Sequence, residues 1–173
     1  MSGWRLGWMV IPDDETLNKS INSLQQNMFI SAPTLSQTAA LKCWDKETID
    51  ELETHITKYK TSRQIILQAL ASISDVHSFH IAPADGGFYV YVDLGKDNIS
   101  LPGYGSVAMC SQLLEEEKVA FTPGTDFEWD REGLGDQRFR ISYAGGIQTV
   151  EQAMIRFTRF WPKWIAKVRD NKK

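Results

Sequence analysis

The segment from Arg138 to Tyr143 alternates strictly between polar and apolar residues. Its apolar members are Phe139, Ile141 and Tyr143, and its polar members are Arg138, Arg140 and Ser142. A period of two places the apolar side chains on one face of a β-strand and the polar side chains on the other. The segment therefore predicts a sheet with one face on a hydrophobic core and two arginines on the other face.

The second half of the chain alternates between segments with strand patterns and segments with helix patterns. Strands are predicted over residues 77–82, 87–94, 119–121 and 138–143, with a turn at Asp85-Gly86 between the first two. Helices are predicted from two apolar stripes, one of Val107, Cys110, Leu113 and Leu114, the other of Val150, Met154, Phe157, Trp161 and Trp164. This order predicts an α/β domain with helices packed on one face of a small mixed sheet.

The first half contains one predicted strand and three predicted helices. The strand covers Leu6–Ile11 and ends at Pro12. The expected helix starts are marked by Asp13 or Asp14, by Pro33 and by Asp45. A single strand cannot complete a sheet, so this half needs neighbours that bury the face of its strand. The period changes from helical to alternating near Ser72–Asp75, which predicts a domain boundary there.

Composition argues against several classes of function. The formal net charge of -3 over 173 residues gives no support for a nucleic-acid surface. The sequence shows no run of 18 apolar residues, which would predict a membrane span, and no basic segment followed by an apolar core, which would predict a secretory signal. A cytoplasmic location is therefore expected. Cys43 and Cys110 lack a CxxC spacing and are interpreted as reduced residues in or near the core, with a disulfide as the less favoured alternative. His77 and His80 have no third ligand nearby, so no metal site is predicted.

A second arginine of interest lies in the short segment that opens the chain, Ser2–Trp8. A buried or half-buried guanidinium is costly unless it meets an anion, and its planar fork suits two-point binding of a carboxylate or phosphate. Arg5 and Arg140 therefore suggest two anionic groups held in one cleft. From the residues alone, Arg140 could instead be a surface arginine on a strand, and Arg5 could stack on Trp4 and Trp8.

Four motifs, in the right order, resemble those of the class I and II aminotransferases, fold type I enzymes that depend on pyridoxal 5'-phosphate. The motifs are Ser2-Gly3-Trp4-Arg5-Leu6-Gly7-Trp8, Pro83–Leu94, Val119–Gly124 and Arg140-Ile141-Ser142-Tyr143-Ala144. Together they cover nearly the whole chain and are similar to the aspartate-aminotransferase type. The resemblance implies that Arg5 contacts the cofactor phosphate and that Arg140 binds the α-carboxylate of the substrate.

The resemblance also implies an architecture and an activity. It divides the chain into a remnant of the large cofactor-binding domain (1–45, with its last strand and helices), a long connecting helix (46–75) and the small C-terminal domain (76–173). The implied intact enzyme is a homodimer that moves an amino group between an amino acid and a 2-oxo acid. No nucleic acid, membrane or metal is an expected partner.

The sequence departs from the family pattern in two places. The Schiff-base lysine of the family would lie upstream of Ser2, and no lysine of this sequence has the required context. No catalytic residue is therefore assigned, and the isolated chain is expected to be inactive and not to hold pyridoxal phosphate covalently. Glu128 stands where the family often has glycine. The alternative is a non-catalytic module of the same fold that binds a small carboxylate or a protein partner.

Overall fold

The structure, a computed structural model, describes residues 2–74, 80–95, 103–129 and 133–170. The chain separates into two compact units, Met1–Thr54 and His55–Lys173. The division falls inside the longest helix. The domain limits expected from the sequence, at residues 45 and 75, stay predictions.

Helices in the first unit begin where the sequence places capping and helix-starting residues. The helices are α1 (Glu15–Met28), α2 (Thr34–Ala40) and α3 (Lys46–Ser74), the last of which continues into the second unit. Asp14 is confirmed as the cap of α1, since its side chain accepts a hydrogen bond from the backbone N–H of Leu17 at 2.8 Å. Pro33 lies one position before α2 rather than in its first turn, and α3 starts directly after Asp45.

The predicted strand over Leu6–Ile11 is wrong, because these residues adopt no regular secondary structure. They follow a 3₁₀ turn at Ser2–Trp4, and Arg5 has a φ of 52°. The left-handed conformation of Arg5 keeps an extended strand from beginning before Leu6. A strand also needs a partner edge for its backbone groups, and the described strands pair among themselves between residues 80 and 142.

An antiparallel sheet organises the second unit. Its described strands are β1 (His80–Ile81), β2 (Tyr89–Asp93), β3 (Thr122–Pro123) and β4 (Arg138–Ser142), in the spatial order β1-β2-β4-β3. The α/β class is confirmed. The described pairs are all antiparallel, where the sequence predicted a mixed sheet. The third strand follows the predicted segment 119–121 instead of covering it, and residues 77–79 lie outside the described residues.

The apolar face of the sheet packs against α3 and two further helices, α4 (Ser106–Glu117) and α5 (Ile147–Asp170). The alternation of β4 is confirmed, and its inward residues are Phe139, Ile141 and, just beyond the strand, Tyr143. All five apolar residues predicted for α5 are buried. α4 buries Cys110 and Leu113 as predicted, but it turns Met109 inward and leaves Val107 and Leu114 about half exposed. Its buried stripe is therefore rotated from the predicted one.

Candidate functional site

The polar face of the sheet, in the second unit, carries the candidate site. On β4 it presents Arg138 and Arg140, and on β2 it presents Tyr89, Tyr91 and Asp93. The antiparallel register pairs Arg140 with Tyr91 and Arg138 with Asp93. Cross-strand partners on one face lie close enough for their side chains to interact, so the register brings the two arginines beside an acid and two phenol rings.

Arg140 is a half-buried cation flanked by aromatic rings. Its guanidinium carbon lies 4.1 Å from the centre of the Tyr89 ring and 3.9 Å from the centre of the Phe127 ring. Both distances are within the range of cation–π attraction. The Arg140 Nε is buried and has no hydrogen-bond partner among the described residues. A buried donor of this kind is costly to leave unsatisfied, so the fork is suited to an anion that the chain itself does not provide.

Arg138, two positions away on the same face, is already neutralised. Its Nε donates to Asp93 Oδ2 at 2.8 Å, and one of its terminal nitrogens donates to both carboxylate oxygens of Glu128 at 3.0 and 2.9 Å. These hydrogen bonds, first to Asp93 and then to Glu128, raise the pKa of the Arg138 guanidinium above its ordinary value. The two arginines therefore share a face but differ in their pairing. Of the two, only Arg140 lacks an acidic partner in the described part of the chain.

Glu128 joins this ion pair to the neighbouring strand. Its Oε1 accepts a hydrogen bond from the Tyr91 hydroxyl at 2.5 Å. Burial, followed by the interaction with Glu128, raises the pKa of Tyr91 well above its ordinary value, so the hydroxyl stays protonated and donates. Glu128, where the family often has glycine, thus places a carboxylate between Tyr91 and Arg138, and the described residues show no ion pair between it and Arg140.

The loop that carries Phe127 is fixed by a close backbone approach at Gly124. A Cβ at this position would lie 2.5 Å from the carbonyl oxygen of Gly135 and 2.7 Å from the Tyr91 hydroxyl, so only glycine fits without movement. Gly124–Asp126 forms a 3₁₀ turn, after which the Phe127 N–H donates to the Gly124 carbonyl at 2.9 Å. The Pro-Gly step that ends β3 therefore delivers Phe127 to the face on which Arg140 lies.

Arg5 lies in the first unit and is exposed. The turn before it is tied down where the buried Ser36 hydroxyl donates to the Trp4 carbonyl at 2.6 Å. The Trp8 ring packs against Trp44, with 5.7 Å between ring centres. Arg5 and Arg140 belong to different units, so the single cleft suggested by the sequence stays a prediction.

Within the described residues, no group of three or more histidine, cysteine, aspartate or glutamate side chains is placed to hold a metal ion. Cys43 and Cys110 are free, and burial raises the pKa of the Cys110 thiol to about 12. None of the helices in this part of the chain is long and apolar enough to cross a membrane.

The family model for aminotransferase class I and II matches residues 1–157 of the chain. The chain belongs to the class I and II aminotransferase family. This chain is 35% identical over 162 residues to the valine–pyruvate aminotransferase of Mycobacterium tuberculosis, covering 94% of this chain and 38% of the relative. It is also 34% identical over 163 residues to the (5-formylfuran-3-yl)methyl phosphate transaminase of Methanocaldococcus jannaschii, covering 94% of this chain and 39% of that enzyme.

Solved structures give the same family. An aminotransferase from Mycobacterium tuberculosis superposes with a TM-score of 0.76 at 36% identity, covering 94% of this chain and 39% of the other. A Thermus thermophilus aspartate aminotransferase mutant superposes with a TM-score of 0.69 at 27% identity, covering 92% and 39%. The chain thus spans about two fifths of the length of these relatives.

Two members of the site were not singled out from the sequence. Tyr89 and Phe127 flank Arg140, and both lie inside or just beyond the family-like motifs. The available signal was the alternation of β2, which places Tyr89 on the polar face with Tyr91. Nothing local in the sequence indicates that Phe127 reaches the same guanidinium, since the contact spans two separate elements of the aminotransferase chain.

Proposed function

We propose that Arg140 binds the α-carboxylate of an amino acid or 2-oxo acid in an amino-transfer reaction. One observation carries the proposal: Arg140 is a half-buried guanidinium with no acidic partner among the described residues, whereas Arg138 on the same strand face is held by two carboxylates. Family membership supplies the reaction class.

The surroundings of Arg140 suit planar recognition. Tyr89 and Phe127 lie over the guanidinium, and the N–H donors of an arginine point outward in its plane. A ring contact at the guanidinium carbon uses none of these N–H donors, so they can still bind a carboxylate. Two parallel charge-assisted hydrogen bonds would fix the carboxylate in orientation as well as in position. The role of Arg140 is therefore to position the substrate, because a fixed carboxylate also fixes the direction of the reacting bond.

We propose that Arg5, which lies in the family-like motif Ser2–Trp8, contacts the cofactor phosphate. Its cationic side chain is exposed, and its backbone is left-handed, with a φ of 52°, directly after the 3₁₀ turn at Ser2–Trp4. A guanidinium in such a position suits a phosphate dianion. Pyridoxal phosphate, when bound, supplies the electron sink for amino-group transfer. The part of Arg5 is to help anchor the phosphate end and so limit movement of the ring.

The 173 residues do not include a lysine in the family context for covalent attachment of the cofactor. We therefore propose that this chain contributes binding and orientation and is inactive by itself, and that the whole protein acts as a homodimer on an amino acid and a 2-oxo acid. Borohydride reduction of the chain with pyridoxal phosphate should leave no stoichiometrically labelled lysine. A single labelled lysine accompanied by turnover would contradict this.

Carboxylate binding can be measured on the chain itself. Acetate should shift the Nε–H resonance of Arg140 in the ¹⁵N-labelled chain, and the neutral analogue acetamide should not. Arg140→Lys should weaken acetate binding by about tenfold or more, because lysine keeps the charge but loses the two-point fork. Arg156→Lys, which alters an exposed arginine on α5, is the matched control. Equal acetate binding in both variants would overturn the assignment.

A further inference from the structure

Phe127 reaches Arg140 from a short irregular segment. Its ring centre lies 3.9 Å from the guanidinium carbon, yet Phe127 remains 46% exposed. Burial alone therefore provides only part of the energy that would hold the ring there. Its backbone belongs to the residue after a 3₁₀ turn and to neither neighbouring strand. The turn at Gly124 holds the backbone before Phe127, where the Phe127 N–H donates to the Gly124 carbonyl at 2.9 Å. A side-chain contact after Phe127 would restrain the segment from its other side.

The next residue supplies such a restraint. The Glu128 carboxylate binds Arg138 through both oxygens and also accepts from the Tyr91 hydroxyl. Arg138 is held from its other side by Asp93. Because the four side chains are half-buried, their ion pairs and hydrogen bonds are less screened than those on an open surface. We call Asp93, Arg138, Glu128 and Tyr91 the clasp.

The clasp is built on the same two strands as the binding residue. Arg138 and Arg140 are two positions apart on β4, and Tyr91 of β2 is the register partner of Arg140. A tether from Glu128 to these strands therefore sets the distance between the Phe127 segment and the guanidinium. We propose that the clasp is a positioning device that holds Phe127 over Arg140 and so fixes the fork for a carboxylate. This inference rests on the proposed function of Arg140.

The consequence can be separated from plain electrostatics. Glu128→Gln removes a negative charge near Arg140, and Coulomb attraction alone predicts that acetate would then bind more tightly. Loss of positioning predicts the opposite. Acetate should bind roughly two- to fivefold more weakly, the effect of losing one ring–cation contact, and the Arg140 Nε–H resonance should move as the Phe127 ring current is lost. Glu151→Gln, an exposed glutamate on α5, controls for the change in net charge.

A double-mutant cycle tests whether Glu128 acts through Phe127. Phe127→Leu should weaken acetate binding by a similar factor, and adding Glu128→Gln to Phe127→Leu should weaken it no further. Phe127→Leu also keeps the test decisive if Glu128→Gln disturbs folding, which the dispersion of backbone amide resonances reports.

Each outcome has one meaning. Unchanged or tighter acetate binding in Glu128→Gln, unchanged binding in Phe127→Leu, or fully additive effects in the double variant would overturn the positioning role alone. Acetate that leaves the Arg140 resonance of the unaltered chain unmoved would overturn the proposed function together with this inference. Weaker binding in both single variants without additivity is the expected result.

Discussion

The two units of this chain differ in how much apolar surface they bury. Among the described residues of His55–Lys173, twenty apolar residues form one buried core around the sheet and its helices. In Met1–Thr54, the only buried residue of the described part is Ser36, and large side chains such as Val10, which is 94% exposed, face outward. Helix caps and turns form in both units, but only the second unit also has a core of its own.

The contrast shows that local signals and tertiary burial are separate requirements. α1 starts at a well-formed cap and carries an amphipathic stripe, yet Leu24 and Met28 of that stripe are 61% and 76% exposed. Most of the stability of a short helix comes from packing of its apolar face. We therefore expect the first unit to depend on contacts with further polypeptide, as the sequence predicted for residues 1–45, and the second unit to hold its own fold.

The largest expected difference between the units lies in their response to truncation of an apolar side chain. Phe157→Ala should lower the free energy of unfolding by about 3–5 kcal/mol, because Phe157 is fully buried and its truncation leaves a cavity in the core. Leu24→Ala in the first unit should lower the free energy of unfolding by less than about 0.5 kcal/mol, because Leu24 is largely exposed. Denaturant unfolding of both variants measures this. Similar losses for the two would show that the first unit has a core after all.

A smaller difference is expected between two glycines. Gly124→Ala places a Cβ 2.5 Å from a backbone oxygen and should destabilise the second unit by about 1–3 kcal/mol. Gly7→Ala in the first unit meets nothing within 4 Å and should change stability by less than about 0.5 kcal/mol. Thermal unfolding compares them. A neutral Gly124→Ala would mean that the turn before Phe127 is not closely packed.

The smallest expected effect is a difference in acid sensitivity. The Glu117 carboxylate at the end of α4 is paired with Arg159, with Arg159 Nε 3.3 Å from Oε1, and this hydrogen bond lowers the pKa of Glu117. The stabilisation is present above the pKa of an unfolded glutamate and is lost as the pH falls through the lowered pKa of the folded state. Glu117→Gln should flatten that part of the stability–pH curve.

Glu15→Gln provides the matched comparison in the first unit. The Glu15–Lys19 pair is exposed on both sides, with 2.6 Å between Lys19 Nζ and Glu15 Oε1, and such pairs add little to stability. Glu15→Gln should therefore change the free energy of unfolding little. An equal change in both variants would count against the distinction between the two ion pairs.

Much of the second unit could be predicted from the sequence. Strict alternation fixed which residues of β4 face the core, and the stripe of α5 identified five buried residues correctly. The strand expected at Leu6–Ile11 failed because a strand depends on a partner edge, which a local pattern does not contain. The stripe of α4 was misplaced because several apolar residues there fit more than one helical face.

The candidate site shows the same limit. Alternation put Arg138 and Arg140 on one face but could not separate them, because what distinguishes them is long-range pairing. The partners of Arg138 are Glu128 in an irregular loop and Asp93 on another strand, 45 residues away in sequence. The resemblance to the aminotransferases selected Arg140, and the ion pairs of Arg138 give that choice a physical basis.

The central proposal, that Arg140 rather than Arg138 binds the substrate carboxylate, is tested most directly by transaminase kinetics of the whole protein. Arg140→Lys should lower kcat/KM for an amino acid by about one to two decades, far more than Arg138→Lys, and should have much less effect on the matching amine that lacks the carboxylate. Cofactor affinity should change little, since the phosphate is assigned to Arg5. Equal losses for amino acid and amine in Arg140→Lys, or a larger loss in Arg138→Lys, would contradict the account.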